Sequence, residues 1–237
     1  MLFIGSGSML WRAVDFTAAA GHPVDLVVVP AGQTAAGRQV PVLATADVNA
    51  AANQLADACT DGVVFSINNA TILREPLLHK GMRIYNIHNG LLPRHRGLPE
   101  AAIAHAILNG DTAYGATLHE IDAGVDTGAI LDTEEFPITP ADGFQDIMLA
   151  GLRACTALFE RNLEPVAANR TTPRPQSADG GAYYGRKSLE SLRDLTAHPD
   201  FPRATALGLL PRPGRRRTPI AHEVRGSPPH LPSRGAG

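Results

Sequence analysis

The sequence predicts an α/β fold, a Rossmann-like and mostly parallel sheet with helices on both faces. Three observations predict it. Short apolar runs rich in β-branched residues, such as 25–29 (DLVVV) and 62–66 (GVVFS), lack polar alternation, as strands covered on both faces do. Stretches of helical spacing separate these runs, giving a βαβαβ rhythm and hence right-handed parallel crossovers. The segments after three of the runs, residues 5–8, 66–71 and 87–93, carry Gly, Ser, Asn or Pro. Those are the carboxyl ends of the strands, where open α/β sheets bind their ligands.

Each element has its own grounds. Residues 1–5 form a short apolar strand ending in glycine, and residues 8–20 a helix whose buried face carries Leu10, Val14 and Phe16 or Thr17. Pro30 closes the second strand. Residues 48–59 are an alanine-rich helix, 62–66 the third strand, 73–79 a short helix and 83–87 (RIYNI) the fourth strand. The helix at 99–108 opens on Pro and Glu, as helix starts do. Residues 116–121 and 129–136 read as a strand pair around an Asp/Gly-rich loop. A long helix follows over 142–163, with Ile147, Leu149, Leu152, Ala154, Leu158 and Phe159 at roughly helical spacing. Beyond Pro165 the composition shifts: 167–182 reads as loop, and 183–210 as one or two short helices. The domain expectation is therefore a catalytic domain over 1–165, a small appendage over 166–210 and a disordered tail over 211–237. That tail is rich in Pro, Arg, Gly and Ser and too poor in apolar surface to offset its ordering entropy.

Composition narrows the function. A chain of 237 residues with 44% apolar content suits one full domain with an addition. A net charge of −2 gives no footprint for nucleic acid or an anionic membrane. The two cysteines form neither a CxxC nor a zinc spacing, so reduced thiols and no metal are expected. The amino terminus lacks the basic region of a signal peptide, and no apolar run approaches the roughly 20 residues of a membrane span. The expectation is a soluble, cytoplasmic protein; a homodimer is left open.

The chemistry concentrates at 85–93, YNIHNGLLP. Asn86 and His88 sit two apart at the end of a strand, so their side chains share a face that opens at the sheet edge. A carboxamide can donate to a developing oxyanion, and an imidazole can give or take a proton near neutrality. Downstream, 122–128 (DAGVDTG) places two aspartates, Asp122 and Asp126, in a glycine-punctuated loop that can bring a carboxylate to the imidazole and orient it. Asp122 is as well suited to bracing the loop.

The string from Asn86 to Leu131 resembles the catalytic domain of the folate-dependent formyltransferases, the family of methionyl-tRNA, glycinamide-ribonucleotide and sugar-amine enzymes. The resemblance rests on Asn86 and His88, the Leu91–Pro93 triplet, Arg96-Gly97, Gly115-Ala116-Thr117 and Asp126-Thr127-Gly128, in order and at natural spacing. It implies Asn86, His88 and Asp126 as the catalytic triad and N10-formyltetrahydrofolate as formyl donor. It also implies a pterin slot between two loops. The matching cofactor-binding candidates are Asn69, Thr71 and Leu73 on one side and Asp122, Ala123 and Asp126 on the other. The implied acceptor is the amine or hydroxylamine of a small or carrier-bound molecule. The compact core resembles the formyltransferases of nonribosomal-peptide pathways, so an amino-acid-type or aminoacyl acceptor in secondary metabolism is favoured. An amino sugar is the alternative, and so are a formyltetrahydrofolate hydrolase and a non-catalytic folate-binding module. The β-barrel that follows the core in the methionyl-tRNA enzyme has no counterpart expected in this sequence.

The sequence departs from the family pattern twice. Asn89-Gly90 stands where Pro-Ser or Gly-Ser is usual, and the segment 66–73 (SINNATIL) lacks the usual basic or aromatic residue before Ile72. Both departures bear on the acceptor or the cofactor rather than on the chemistry. The acceptor is expected to be read by 5–11, 89–97 and the region after Leu163. Other features receive plainer readings. Gly5-Ser6-Gly7-Ser8 lacks the third glycine of a dinucleotide fingerprint and reads as a strand-to-helix turn at the acceptor mouth. His95, His105 and His119 have no metal-ligand spacing, and His119 is expected to pack near the folate slot. Arg215–Arg217 read as solvated charge.

Overall fold

The computed structural model describes residues 1–35, 37–177 and 181–205. Seven strands form one sheet: β1 (Leu2–Gly5), β2 (Leu26–Pro30), β3 (Val42–Thr45), β4 (Val63–Ile67), β5 (Arg83–His88), β7 (Ala113–Glu120) and β8 (Ile130–Pro137). Their order is β3-β2-β1-β4-β5-β7-β8. The first five run parallel, whereas β7 and β8 are antiparallel to their neighbours. The chain winds outward from β1 in one direction and from β4 in the other, so a crevice opens at their carboxyl ends. The α/β expectation holds.

Alternation along each strand assigns the two faces. Phe3, Val27, Phe65, Tyr85 and Ile87 pack with α1 (Gly7–Ala19) and α4 (Phe144–Ala167). Leu2, Ile4, Val28, Val64 and Ile84 pack with α2 (Ala52–Ala58) on the other face. A third cluster joins α3 (Pro99–Leu108) to Tyr114, Phe144, Leu192 and Ala204. Residues beyond α4 thus fold back onto the sheet domain. A two-residue strand β9 (Tyr183–Tyr184) pairs with β6 (Arg96–Gly97), and α5 (Arg186–Ser191) and α6 (Phe201–Ala204) lie against α3.

Four expectations need correction. Strand β3 is absent from the sequence reading, because a four-residue, half-exposed edge strand carries little pattern. The expected helix at 73–79 reduces to one tight turn, Leu77–His79. Helix α4 runs through Pro165 to Ala167, because the buried Val166 keeps the last turn packed. Leu149 and Leu152 lie outside the core, at 52% and 40% exposure. At 100° per residue Leu149 projects almost opposite Ile147, while Gly151 takes the inward position. Residues 206–210 and the tail 211–237, with Arg215–Arg217, lie outside the described residues.

Candidate active site

Strand β5 delivers Asn86 and His88 to the carboxyl edge on the same face, as period 2 requires. Antiparallel pairing sets Asn86 opposite His119 and His88 opposite Thr117 on β7. The Asn86 amide Nδ2 lies 3.1 Å from His119 Nε2, and His119 Nδ1 lies 2.7 Å from the carbonyl of Glu120. That carbonyl can only accept, so Nδ1 carries the proton and Nε2 accepts from the amide. Burial, then the neighbouring His88, push His119 down to about 4, against the opposing pull of Asp126. His119 is therefore neutral near pH 7. It fixes which way the Asn86 amide points and leaves the second amide hydrogen for a ligand.

His88 is 5% exposed. Its Nε2 donates to the carbonyl of His95 at 2.6 Å, and Nδ1 faces Asp126 Oδ2 at 3.7 Å. Gly90 makes the first contact possible: a Cβ there would lie 2.6 Å from both His88 Nε2 and the His95 oxygen. Asp126 adopts a left-handed φ of 54°, uncommon for a non-glycine residue. Three contacts hold it there. Its Oδ2 accepts from the Gly97 amide at 2.8 Å, and Gln176 Nε2 donates to the Asp126 and Gly128 carbonyls at 3.0 and 2.7 Å. Gly128 lets this loop close on β7, since a Cβ would lie 1.9 Å from the Glu120 oxygen.

These groups open into one cleft of about 1020 Å³. It is at the upper end of the range for ligand pockets and has room for a folate and a second substrate. Its walls include residues 68–73, Ile121, Asp122, Val125 and Asp126, with Ser6, Met9, Asn89, Met148 and Leu152 toward α1 and α4. The candidates of the two loops divide by task. Asn69 braces its own loop, bonding to Ser66 Oγ, to the Thr71 carbonyl and, through Oδ1, to the Thr71 amide. Asp122 Oδ1 likewise holds the Gly124 amide and Thr127 Oγ1. Thr71 lines the cleft, and Leu73 does so from the buried core. Ala123 is exposed and is not among the lining residues. With the bracing side chains occupied, the slot presents backbone polar groups and the exposed Ile72 and Val125.

Ser6 Oγ donates to the Asn68 carbonyl, and Asn68 Nδ2 donates to the Ser6 carbonyl, tying the turn after β1 to the turn after β4. His105 is spent elsewhere, bonded to the Ser188 carbonyl and stacked on Tyr184. Among the described residues, the donor cluster of metal-binding size is Asp25, Cys59 and Asp61. The ammonium of Met1 approaches it, 2.9 Å from Asp25 and 3.4 Å from Asp61.

A family model described as formyl transferase matches residues 2–159, two thirds of the chain. The chain belongs to the formyl transferase family. Among relatives, the methionyl-tRNA formyltransferase of Thermobifida fusca is 33% identical over 183 residues, covering 76% of this chain and 58% of that protein. The Mycobacterium tuberculosis enzyme of the same name is 34% identical over 170 residues, covering 69% and 53%. The chain thus spans a little over half the length of these relatives. A sugar N-formyltransferase from Shewanella sp. superposes with a TM-score of 0.72 at 21% identity, covering 87% of this chain and 88% of that one. The phosphoribosylglycinamide formyltransferase of Bacillus halodurans gives 0.63 at 24% identity, covering 71% and 95%. These two likenesses show the formyltransferase fold.

Three positions of this candidate site escape a residue-by-residue reading of the sequence. His119 lines the cleft beside Ile121 and Asp122 and in addition bonds Asn86; the signal for that contact is available, because the strand register opposes the two. Gln176 lies in a segment that reads as plain loop, and nothing local marks it as a brace for Asp126. The backbone amide of Gly97 carries no side-chain signature at all.

Proposed function

We propose that this chain moves a formyl group from N10-formyltetrahydrofolate to the amine or hydroxylamine of a small acceptor, of amino-acid or carrier-bound aminoacyl type, in secondary metabolism. The observation that carries the reading is the convergence of the Asn86 amide, His88 Nδ1 and the Asp126 carboxylate in one cleft with room for two substrates. In this reading the amine nitrogen bonds to the formyl carbon while the carbonyl π pair moves onto oxygen. The free Asn86 N–H and the imidazolium form of His88 stabilise that oxyanion. The pair returns, the bond to N10 breaks, and N10 takes a proton. Asp126 orients His88 and receives the proton the amine sheds, directly or through water. The His95 carbonyl occupies Nε2, so proton traffic at His88 runs through Nδ1.

The aminoacyl preference is supported by the curated relatives, whose name specifies methionyl-tRNA. A net charge of −2 speaks for a small molecule rather than a nucleic acid. A second reading, an amino sugar, is favoured by the Shewanella sugar N-formyltransferase, which matches nearly the full length of both chains. No described helix is long and apolar enough to cross a membrane. A cytoplasmic setting belongs to the same proposal.

The test is a panel assay with 10-formyltetrahydrofolate and free amino acids, carrier-loaded aminoacyl thioesters or nucleotide-linked amino sugars, read by mass spectrometry. Formylation of the first two classes supports the proposal, and sugar formylation alone selects the second reading. Rapid tetrahydrofolate release that no amine alters would replace transfer with hydrolysis.

A further inference from the structure

The turn between β5 and α3 holds a buried histidine, paired with a half-buried aspartate just past α3, that the formyl-transfer reading leaves unused. His95 is fully buried, at 0% exposure. Its Nε2 lies 2.9 Å from Asp111 Oδ2, and the Leu91 amide points at Nδ1 from 3.4 Å. Its ring stacks on Tyr114, with centroids 4.5 Å apart and planes 29° from parallel. Tyr114 in turn donates its hydroxyl to the Asn89 carbonyl at 3.0 Å, and the His95 amide donates to the Leu91 carbonyl at 2.8 Å. Thr117 Oγ1 completes the stitching, donating to the Gly90 carbonyl at 2.8 Å and accepting from the Leu92 amide at 3.1 Å.

A phenyl ring would fill the same space and keep the stack at no cost in buried polarity. A buried imidazole is costly unless its nitrogens are used. Here both are used, and neither touches the cleft. Burial holds His95 below the ordinary imidazole range against the upward pull of Asp111, and Arg94 and His88 also lower it. The neutral ring therefore donates from Nε2 to the carboxylate and accepts at Nδ1. The one outlet toward chemistry is the backbone: the His95 carbonyl, 2.6 Å from His88 Nε2.

We propose that His95 and Asp111 are a positioning pair for His88. By pinning the 89–97 turn, they place the His95 carbonyl where it captures the Nε2 proton, so that His88 presents Nδ1 to Asp126 and the acceptor. Neither residue touches substrate. The proposal rests on the reading of His88 as catalytic, but its signature is a property of His88 that can be measured without any acceptor.

The experiment records imidazole ¹⁵N–¹H spectra of the full chain and of His95→Phe, Asp111→Ala and Asp111→Asn, beside the affinity for a 5-formyl folate analogue and the steady-state constants. In wild type, neutral His88 is expected as one Nε2–H tautomer with a slowly exchanging proton, so that the proton of the imidazolium form is added at Nδ1. His95→Phe keeps the ring and loses both nitrogens; Asp111→Ala leaves Nε2 without its anchor. Both are expected to give a tautomer mixture and proton exchange faster by about tenfold, as loss of a buried hydrogen bond implies. Their kcat falls on the order of tenfold with KM and folate affinity little changed, the mark of a misplaced group rather than a lost binding contact. Asp111→Asn still offers an oxygen to Nε2–H and is expected to recover most of the loss. An unchanged His88 tautomer and exchange rate in either His95→Phe or Asp111→Ala would overturn the proposal. If His95→Phe fails to fold, Asp111→Ala tests the same link from a half-buried position that tolerates truncation better. Wild-type activity in His88→Ala would overturn the catalytic reading while leaving the tautomer result standing.

Discussion

Asn86 and His119 face each other across β5 and β7, and the protonation state of one decides the orientation of the other. With His119 neutral, Nε2 accepts from the amide. A proton on Nε2 would turn that contact into two donors facing each other. Because the ring is held near 4 in the fold against an ordinary value of 6.5, the unfolded chain takes up this proton first on acidification. The contribution of His119 to stability is thus complete above about 6.5, falls as pH drops toward about 4, and levels off below. His119→Leu is expected to flatten that part of the pH dependence of the melting temperature, and a variant curve parallel to wild type would contradict it. The same substitution frees the Asn86 amide and is expected to lower kcat more than it raises KM. Asn86→Ala and His88→Ala are each expected to cut formyl transfer by about 10²–10⁴-fold while the folate analogue still binds, the range seen when an oxyanion donor or an acid–base group is removed. Wild-type turnover in both variants would refute the mechanism.

At the scale of elements, the site is made of two turns held by side chains outside the chemistry. The turn after β5 depends on Gly90, where a methyl group would press on both His88 and the His95 carbonyl. Gly90→Ala is expected to destabilise the fold by about 1–3 kcal/mol, the usual cost of forcing extra volume into a packed site, and to abolish activity even where the protein remains folded. Denaturant melts paired with turnover separate the two effects. The turn after β7 depends on Gln176, which spans from the segment beyond α4 to two carbonyls of the Asp126 loop. Gln176→Ala is expected to cost about 1 kcal/mol or less per lost bond and to reduce kcat by allowing Asp126 to leave its left-handed conformation. Full activity in that variant would show that the loop holds its shape unaided.

At the scale of the whole molecule, the crevice exists because the sheet winds two ways from β1 and β4, and the antiparallel β7–β8 pair then closes one side of it. A ligand that fills this crevice binds only the folded state. A folate analogue at a hundredfold over its dissociation constant is expected to add about 2.7 kcal/mol, a rise of several degrees in melting temperature. No rise at saturating analogue would argue against the slot between residues 68–73 and 121–126.

Local periodicity and short motifs are enough to reach the α/β architecture, most strand and helix positions and the pairing of Asn86 with His88, while the choice of Asp126 over Asp122 rests on the family resemblance. The strand that carries Asn86 and His88 needs only its own alternation to put them together. Pattern does not reach strand β3 or the β6–β9 pair, whose two to four residues are ordered by neighbours rather than by their own periodicity. Nor does it explain why His95 and Gln176 bear on the site. Those answers depend on which backbone atom lies within 3 Å of a side chain brought from far along the chain. That distance is set by the register of β5 against β7 and by the return of residues 174–177 and 183–188 beside the cleft, and it exists only once the chain has folded.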